Sequence, residues 1–130
     1  MIFDTDIVVW MTRNHPGALQ FARGVRPSER NISVISYLEL LYGSRNQEEL
    51  MWLQQLVAGW FTEILPVTAA ITGSARKLME DFVLSQRPDV SDVLVAATAL
   101  DRREPLATCN AKHYRFVPGL QLRIFRASPA

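Results

Sequence analysis

The sequence contains 130 residues, a length that supports one domain with its own core and requires no disulfide or structural metal. Its 14 Lys and Arg residues almost balance 13 Asp and Glu residues, and the formal charge of +1 excludes a globally basic surface that coats nucleic acid. A single cysteine, Cys109, excludes an internal disulfide framework. The sequence shows neither an apolar stretch as long as a membrane span nor a signal peptide. We therefore expect one cytoplasmic domain covering residues 1–130.

Short apolar segments alternate with helical segments along the chain. Apolar and β-branched runs predict strands at residues 1–3, 32–35, 63–67, 105–108 and 122–125. Apolar periodicity and capping residues predict helices at residues 5–12, 16–23, 37–42, 47–60, 68–84 and 90–100. Strands separated by helices are typical of βαβ units. The sequence thus predicts an α/β fold with a central parallel sheet of about four to five strands, flanked by helices.

Polar side chains stand where ligands bind in such sheets, beyond the carboxyl ends of the strands. Asp4 follows the first strand, and Glu39 comes shortly after the second. Asp92 begins the helix before the fourth strand, and Asn110 directly follows that strand. Three carboxylates and a carboxamide, without His or Cys, suit Mg²⁺ or Mn²⁺. Such an ion can activate water and neutralise charge on a phosphodiester, so this pattern favours a site for a hard divalent ion.

Purely structural explanations exist for the acidic residues. Ser36 and Glu39 match a capping box, and Asp92 falls in a first helical turn, where a negative charge interacts well with the helix dipole. Asp6 also occupies a first turn, although it could bind a second ion or orient water. Asp4 is different, because an ionised group directly after a buried strand needs compensation. A cation is the simplest partner for it.

Four segments resemble, in order, the four motifs of PIN-domain ribonucleases, and among these most closely the VapC-type toxins. They are IFDTDI at 2–7, SVISYLELLYG at 33–43, SDVLVAATA at 91–99 and LATCNAKHY at 106–114. The resemblance implies a PIN-like fold over nearly the whole chain. It also implies that Asp4, Glu39 and Asp92 are metal-binding acids. Asn110 matches a fourth position that is Asp or Asn in the family, and Thr108 matches a supporting hydroxyl.

The same resemblance implies an activity and partners. PIN-domain toxins are endoribonucleases that use Mg²⁺ or Mn²⁺, pair with a VapB-like antitoxin and commonly form homodimers. We therefore expect metal-assisted attack of water on RNA phosphorus, with no histidine base. Two residues depart from the toxin motif, since Cys109 replaces the usual Arg and Tyr114 replaces the usual Phe.

Three other functions fit part of the pattern. Asp4 and Asp6 also resemble the nucleophile motif of haloacid-dehalogenase-like phosphatases, but Asp89 and Asp92 match its later acidic pair poorly. A response-regulator receiver would need an Asp after the third strand, where Thr68 follows instead. A catalytically inactive PIN fold that binds RNA or protein stays open.

Overall fold

The computed structural model describes residues 1–127, so the last three residues of the predicted 1–130 domain lie outside the described part. Five strands form one sheet: β1 (Ile2–Phe3), β2 (Asn31–Ser33), β3 (Glu63–Leu65), β4 (Leu106–Thr108) and β5 (Leu122–Ile124). Their order is β3-β2-β1-β4-β5, and every neighbouring pair is parallel. The predicted parallel sheet is therefore confirmed, with β1 at its centre.

Six helices and two short 3-10 turns connect the strands. The helices are α1 (Thr5–Thr12), α2 (Pro16–Arg23), α3 (Val34–Tyr42), α4 (Gln47–Trp60), α5 (Ala69–Gln86) and α6 (Val90–Arg102). The 3-10 turns are Pro27–Glu29 and Ala111–His113. Within residues 1–127, every helix is too short or too polar to cross a membrane.

The boundary between β2 and α3 differs from the prediction. The side chain of Ser33 accepts a hydrogen bond from the backbone N–H of Ile35 at 3.1 Å, which caps the helix and starts it at Val34. The β-branched run had suggested that the strand continued through Ile35. The predicted capping box is consequently wrong, because Ser36 lies inside α3 and its buried hydroxyl has no hydrogen-bond partner. Asp89 does hold the N-cap position of α6, although its side chain makes no capping hydrogen bond.

Two hydrophobic clusters cover the two faces of the sheet. Neighbouring residues of β1 point to opposite faces, so Phe3 joins one cluster and Ile2 joins the other. Leu53 and Leu56 of α4 are buried in the cluster around Phe3, which confirms that the apolar stripe of this helix packs in the core. Because helices protect both faces, the carboxyl ends of the strands are where polar side chains gather in this layered structure, Asp4 and Thr108 among them.

Candidate metal centre

Asp4 occupies the junction between β1 and α1, where it is the N-cap of the helix and only 7% exposed. Its Oδ1 accepts a hydrogen bond from the backbone N–H of Thr5 at 2.9 Å. Its Oδ2 accepts hydrogen bonds from the hydroxyls of Thr108 and Tyr114, both at 2.9 Å. Thr108 ends β4, the strand beside β1, so the sheet itself brings these two groups together.

The environment of Asp4 disfavours its charged form. Burial raises the pKa of Asp4 to about 7, and the nearby charge of Asp6 adds to the effect. The hydrogen bonds from Tyr114, Thr108 and Thr5 act in the opposite direction but do not cancel the cost of burial. Among residues 1–127, no Lys or Arg forms an ion pair with Asp4. Asp4 therefore lacks the compensation that a buried carboxylate ordinarily has.

Asp92 reaches the same place from the first turn of α6. Its Oδ1 lies 3.1 Å from the hydroxyl oxygen of Tyr114, whose single hydrogen is shared with the closer Asp4, and its Oδ2 lies 3.4 Å from Nδ1 of His113. Burial is the main cause that raises the pKa of Asp92. The Tyr114 hydroxyl thus stands between the carboxylates of Asp4 and Asp92.

Glu39 approaches from α3 with an exposed side chain. Its Oε1 accepts a hydrogen bond from the hydroxyl of Thr5 at 2.9 Å. Thr5 is the residue that also donates its backbone N–H to Asp4. Glu39 is therefore connected to the site through Thr5, at the first residue of α1.

Asp6 and Asn110 form a second cluster beside the first. Oδ2 of Asp6 accepts hydrogen bonds from the Asn110 side-chain amide at 2.8 Å and from the backbone N–H of Cys109 at 3.1 Å, and it lies 3.3 Å from the Thr108 hydroxyl oxygen. Its Oδ1 accepts the backbone N–H of Ile7 at 2.7 Å. Burial raises the pKa of Asp6 as well. The structure thus places the amide of Asn110 against Asp6, and this contact fastens the segment after β4 to α1.

The donor set at this edge of the sheet consists of oxygen atoms, which is the chemistry that Mg²⁺ and Mn²⁺ prefer. Asp4 and Asp92 are both partly desolvated, and a cation would offset that cost. As the side chains stand, residues 1–127 contain no group of three His, Cys, Asp or Glu side chains close enough to hold an ion together. The chemistry of the site therefore fits a hard cation that keeps several of its own waters and takes few protein ligands.

Sequence reasoning gave too little weight to Tyr114. It stood out only as a departure from the usual Phe, whereas the structure puts its hydroxyl on both Asp4 and Asp92. Its contact with Asp4 joins residues 110 positions apart, so no local pattern announces it. The replacement of an apolar ring by one with a hydroxyl, next to a cluster of acids, was the available signal.

Comparison with protein families matches residues 1–117 to the PIN domain. The chain belongs to the PIN domain family. No curated protein matches its sequence. The assignment agrees with the observed parallel sheet between helices, and it confirms the resemblance described above.

Solved structures similar to this PIN domain include three toxin–antitoxin complexes. VapBC2 of Rickettsia felis, bound to a promoter DNA fragment, has a TM-score of 0.79 at 23% identity, and the match covers 96% of this chain and 99% of that one. VapBC-1 of nontypeable Haemophilus influenzae has a TM-score of 0.75 at 24% identity, and the match covers 95% of this chain and 98% of that one. DNA-bound VapBC of Salmonella typhimurium has a TM-score of 0.80 at 19% identity, and the match covers 95% of this chain and 96% of that one. These structural neighbours are VapC toxins, and at this level of identity they show a shared fold.

Proposed function

We propose that this PIN domain protein is a metal-dependent endoribonuclease and the toxin of a toxin–antitoxin pair. The observation that carries the proposal is the pair of desolvated carboxylates, Asp4 and Asp92, which meet at one hydroxyl and have no Lys or Arg partner among residues 1–127. Such an arrangement costs folding free energy, and a divalent cation would offset that cost.

In this proposal Asp4, Asp92 and Glu39 hold one or two Mg²⁺ or Mn²⁺ ions, directly or through water, and Asn110 completes the site. The bound metal lowers the pKa of water and neutralises charge at the phosphate. The protein contributes position: β1 and α1 fix Asp4, α6 presents Asp92, and α3 presents Glu39 from the solvent side.

This protein has a cleft beside the acids that would suit an antitoxin. A cleft of about 490 Å³ extends from Thr5 and Glu39 to Arg45 and Trp52. The indole of Trp52 is 46% exposed, so the cleft offers apolar area next to negative charge. We propose that an antitoxin segment occupies this cleft and places an arginine among the acids, because its planar fork pairs with carboxylates. Homodimerisation stays a prediction from the family resemblance.

An RNA cleavage assay tests the catalytic proposal. The purified protein should cut RNA with Mg²⁺ or Mn²⁺ and stop when the ion is chelated, and Asp4→Asn should be inactive. Asp81→Asn is the matched control, because Asp81 is exposed on α5 and pairs with Lys77 away from the site. RNA binding without cleavage under all metal conditions would favour the inactive module instead.

The toxin assignment needs a separate measurement. The product of a small gene next to this one should bind the protein and suppress its cleavage. If that product neither binds nor inhibits, the antitoxin proposal fails while the nuclease proposal stands.

A further inference from the structure

Tyr114 makes two contacts that no other side chain of residues 1–127 makes together. Its ring is 1% exposed and packs in the cluster around Ile2, directly after the 3-10 turn Ala111–His113. Its hydroxyl lies 2.9 Å from Oδ2 of Asp4 and 3.1 Å from Oδ1 of Asp92. A buried ring has little freedom to move, so the hydroxyl is a fixed point between the two acids.

The other contacts of Asp4 and Asp92 show what this fixed point does. Oδ2 of Asp4 already faces two hydroxyls, those of Thr108 and Tyr114, whereas Oδ1 accepts only the Thr5 backbone N–H. Each carboxylate oxygen offers about two acceptor sites, so Oδ1 is the oxygen of Asp4 with capacity left. On Asp92, Oδ1 takes the Tyr114 contact, whereas Oδ2 accepts no hydrogen bond among residues 1–127 and lies 3.4 Å from Nδ1 of His113. Tyr114 therefore contacts one oxygen of each acid and leaves the other with acceptor capacity.

We propose that Tyr114 is a positioning residue whose hydroxyl donates its hydrogen to Asp4 and lies against Asp92, so that the open oxygens of the two acids bind one divalent ion together. This inference rests on the proposed function. A hydrogen bond to a ligating carboxylate fixes its orientation in advance, and loss of such a contact typically weakens metal binding by about 10-fold to 100-fold. The phenylalanine usual in the resembling toxins keeps the ring and lacks the hydroxyl that makes this contact.

The test is Mn²⁺ binding by Tyr114→Phe, measured from the free-ion electron paramagnetic resonance signal. We expect a dissociation constant about tenfold higher than that of the wild-type protein, because one positioning hydrogen bond is removed. Tyr42→Phe is the control: Tyr42 is 94% exposed and makes no hydrogen bond within the described residues. Thermal melts in chelator verify that both variants are folded. A purely structural role would change those melts and leave the Mn²⁺ constant unchanged.

A second readout uses cleavage at different metal concentrations. The Mn²⁺ concentration that gives half-maximal activity should rise about tenfold in Tyr114→Phe, in parallel with the dissociation constant. The rate at saturating Mn²⁺ should recover most of the wild-type value, since the acids themselves are unchanged. This division between metal requirement and maximal rate separates positioning from direct participation in the reaction.

If Tyr114→Phe does not fold, the wild-type protein still decides the question. With ¹³C-labelled tyrosine, substoichiometric Mn²⁺ should broaden the ring resonances of Tyr114 more strongly than those of Tyr42, which lies one helical turn after Glu39 and is 94% exposed. Equal broadening of the two would overturn the placement of Tyr114 at the ion.

The outcomes separate this inference from the proposed function. If the wild type binds Mn²⁺ through Asp4 and Tyr114→Phe binds it equally well or more tightly, the role of Tyr114 is overturned and the nuclease proposal stands. If the wild type binds no Mn²⁺, or if Asp4→Asn binds as well as the wild type, the proposed function fails and the inference fails with it.

Discussion

The two ends of the sheet carry buried carboxylates in opposite electrostatic settings. At the carboxyl end, burial raises the pKa of Asp4 to about 7. At the amino end, Oε1 of Glu104 accepts hydrogen bonds from the Met1 ammonium at 2.7 Å and from the Asn31 amide at 2.9 Å. Nε of Arg102 donates to Oε2 of Glu104 at 3.0 Å. Burial alone would raise the pKa of Glu104, but these donors outweigh it and hold the pKa below its usual value.

The surroundings of Glu104 stabilise its negative charge, whereas the surroundings of Asp4 and Asp92 disfavour theirs. Glu104 has cations and an amide around it, so its charge strengthens the folded state. Asp4 and Asp92 lie against hydroxyls and form no ion pair with Lys or Arg among residues 1–127, so their charges weaken the metal-free folded state. Strained or destabilising groups of this kind are common at functional sites, where stability is lost in exchange for activity. The predictions below test this contrast from its largest expected effect to its smallest.

Neutralising one acid at each end gives the largest contrast. Asp4→Asn should reduce metal-dependent RNA cleavage by at least about 100-fold, because it removes a proposed metal ligand and its charge. Glu104→Gln should leave the rate within about twofold, since Glu104 lies at the opposite end of the sheet. Rates are measured on the same RNA at saturating Mg²⁺. Similar losses in the two variants would show that stability, and not the site, controls activity.

The contrast also predicts the sign of a pH effect. Because the pKa of Asp4 is about 7 in the folded protein and 3.8 is its ordinary value, the folded state holds the proton more tightly. Protonated Asp4 therefore contributes to the free energy of unfolding, and this contribution is fully present below about pH 4 and is lost as pH rises through about 7. At about 1.4 kcal/mol for each pKa unit, the free energy of unfolding falls by about 4 kcal/mol at most across this range. Urea unfolding in the presence of a chelator, repeated across this pH range, measures the change in the free energy of unfolding.

Two additions make this pH prediction decisive. Asp4→Asn should flatten the dependence, whatever its effect on stability at any single pH. Mg²⁺ at 100 times its dissociation constant should restore about 2.7 kcal/mol at pH 8, because it binds the folded state alone. A metal-free protein that gains stability between pH 5 and 8 would contradict the uncompensated state of Asp4.

The sequence predicted one side of this contrast better than the other. The strand–helix order and the acids at the strand ends were readable, because apolar runs and the polar residues that interrupt them are local features of the sequence. The bond between Glu104 and Met1 joins residues 103 positions apart and depends on the parallel pairing of the strands. Sequence periodicity contains no information on such a contact. The Tyr114 hydroxyl escaped attention for the same reason.

Local competition explains the remaining difference. The run from Ile32 to Ile35 favours a strand by β-branching, yet Ser33 caps a helix within it. A side chain that binds a nearby backbone N–H can override strand propensity over two or three residues. As a result, the sequence identified Glu39 as a candidate but misassigned the helix boundary and the capping residue.

Glu104→Gln should lower the free energy of unfolding by about 1 to 2 kcal/mol at neutral pH, since it weakens charge-assisted hydrogen bonds that are partly buried. The pKa of Glu104 is depressed, so its contribution is present above the ordinary value and lost as pH falls through the lower folded value. The direction is opposite to that of Asp4. Glu63→Gln is the control, because Glu63 is exposed at the start of β3. Equal effects in the two variants would refute the stabilising role of Glu104.

Asp92→Asn gives the smallest effect and separates two explanations by sign. Burial raises the pKa of Asp92, so loss of its charge should increase the metal-free free energy of unfolding at pH 8. The alternative, a favourable interaction with the dipole of α6, predicts a decrease of about 0.3 to 1 kcal/mol. The charge of Asp89 also raises the pKa of Asp92, so Asp89→Asn made in the Asp92→Asn background measures the dipole effect without that repulsion. Melts with chelator and with Mg²⁺ at matched ionic strength should show Asp92→Asn stabilised without metal and less responsive to Mg²⁺. A decrease in the metal-free free energy of unfolding, with an unchanged response to Mg²⁺, would show that Asp92 is not part of the metal site.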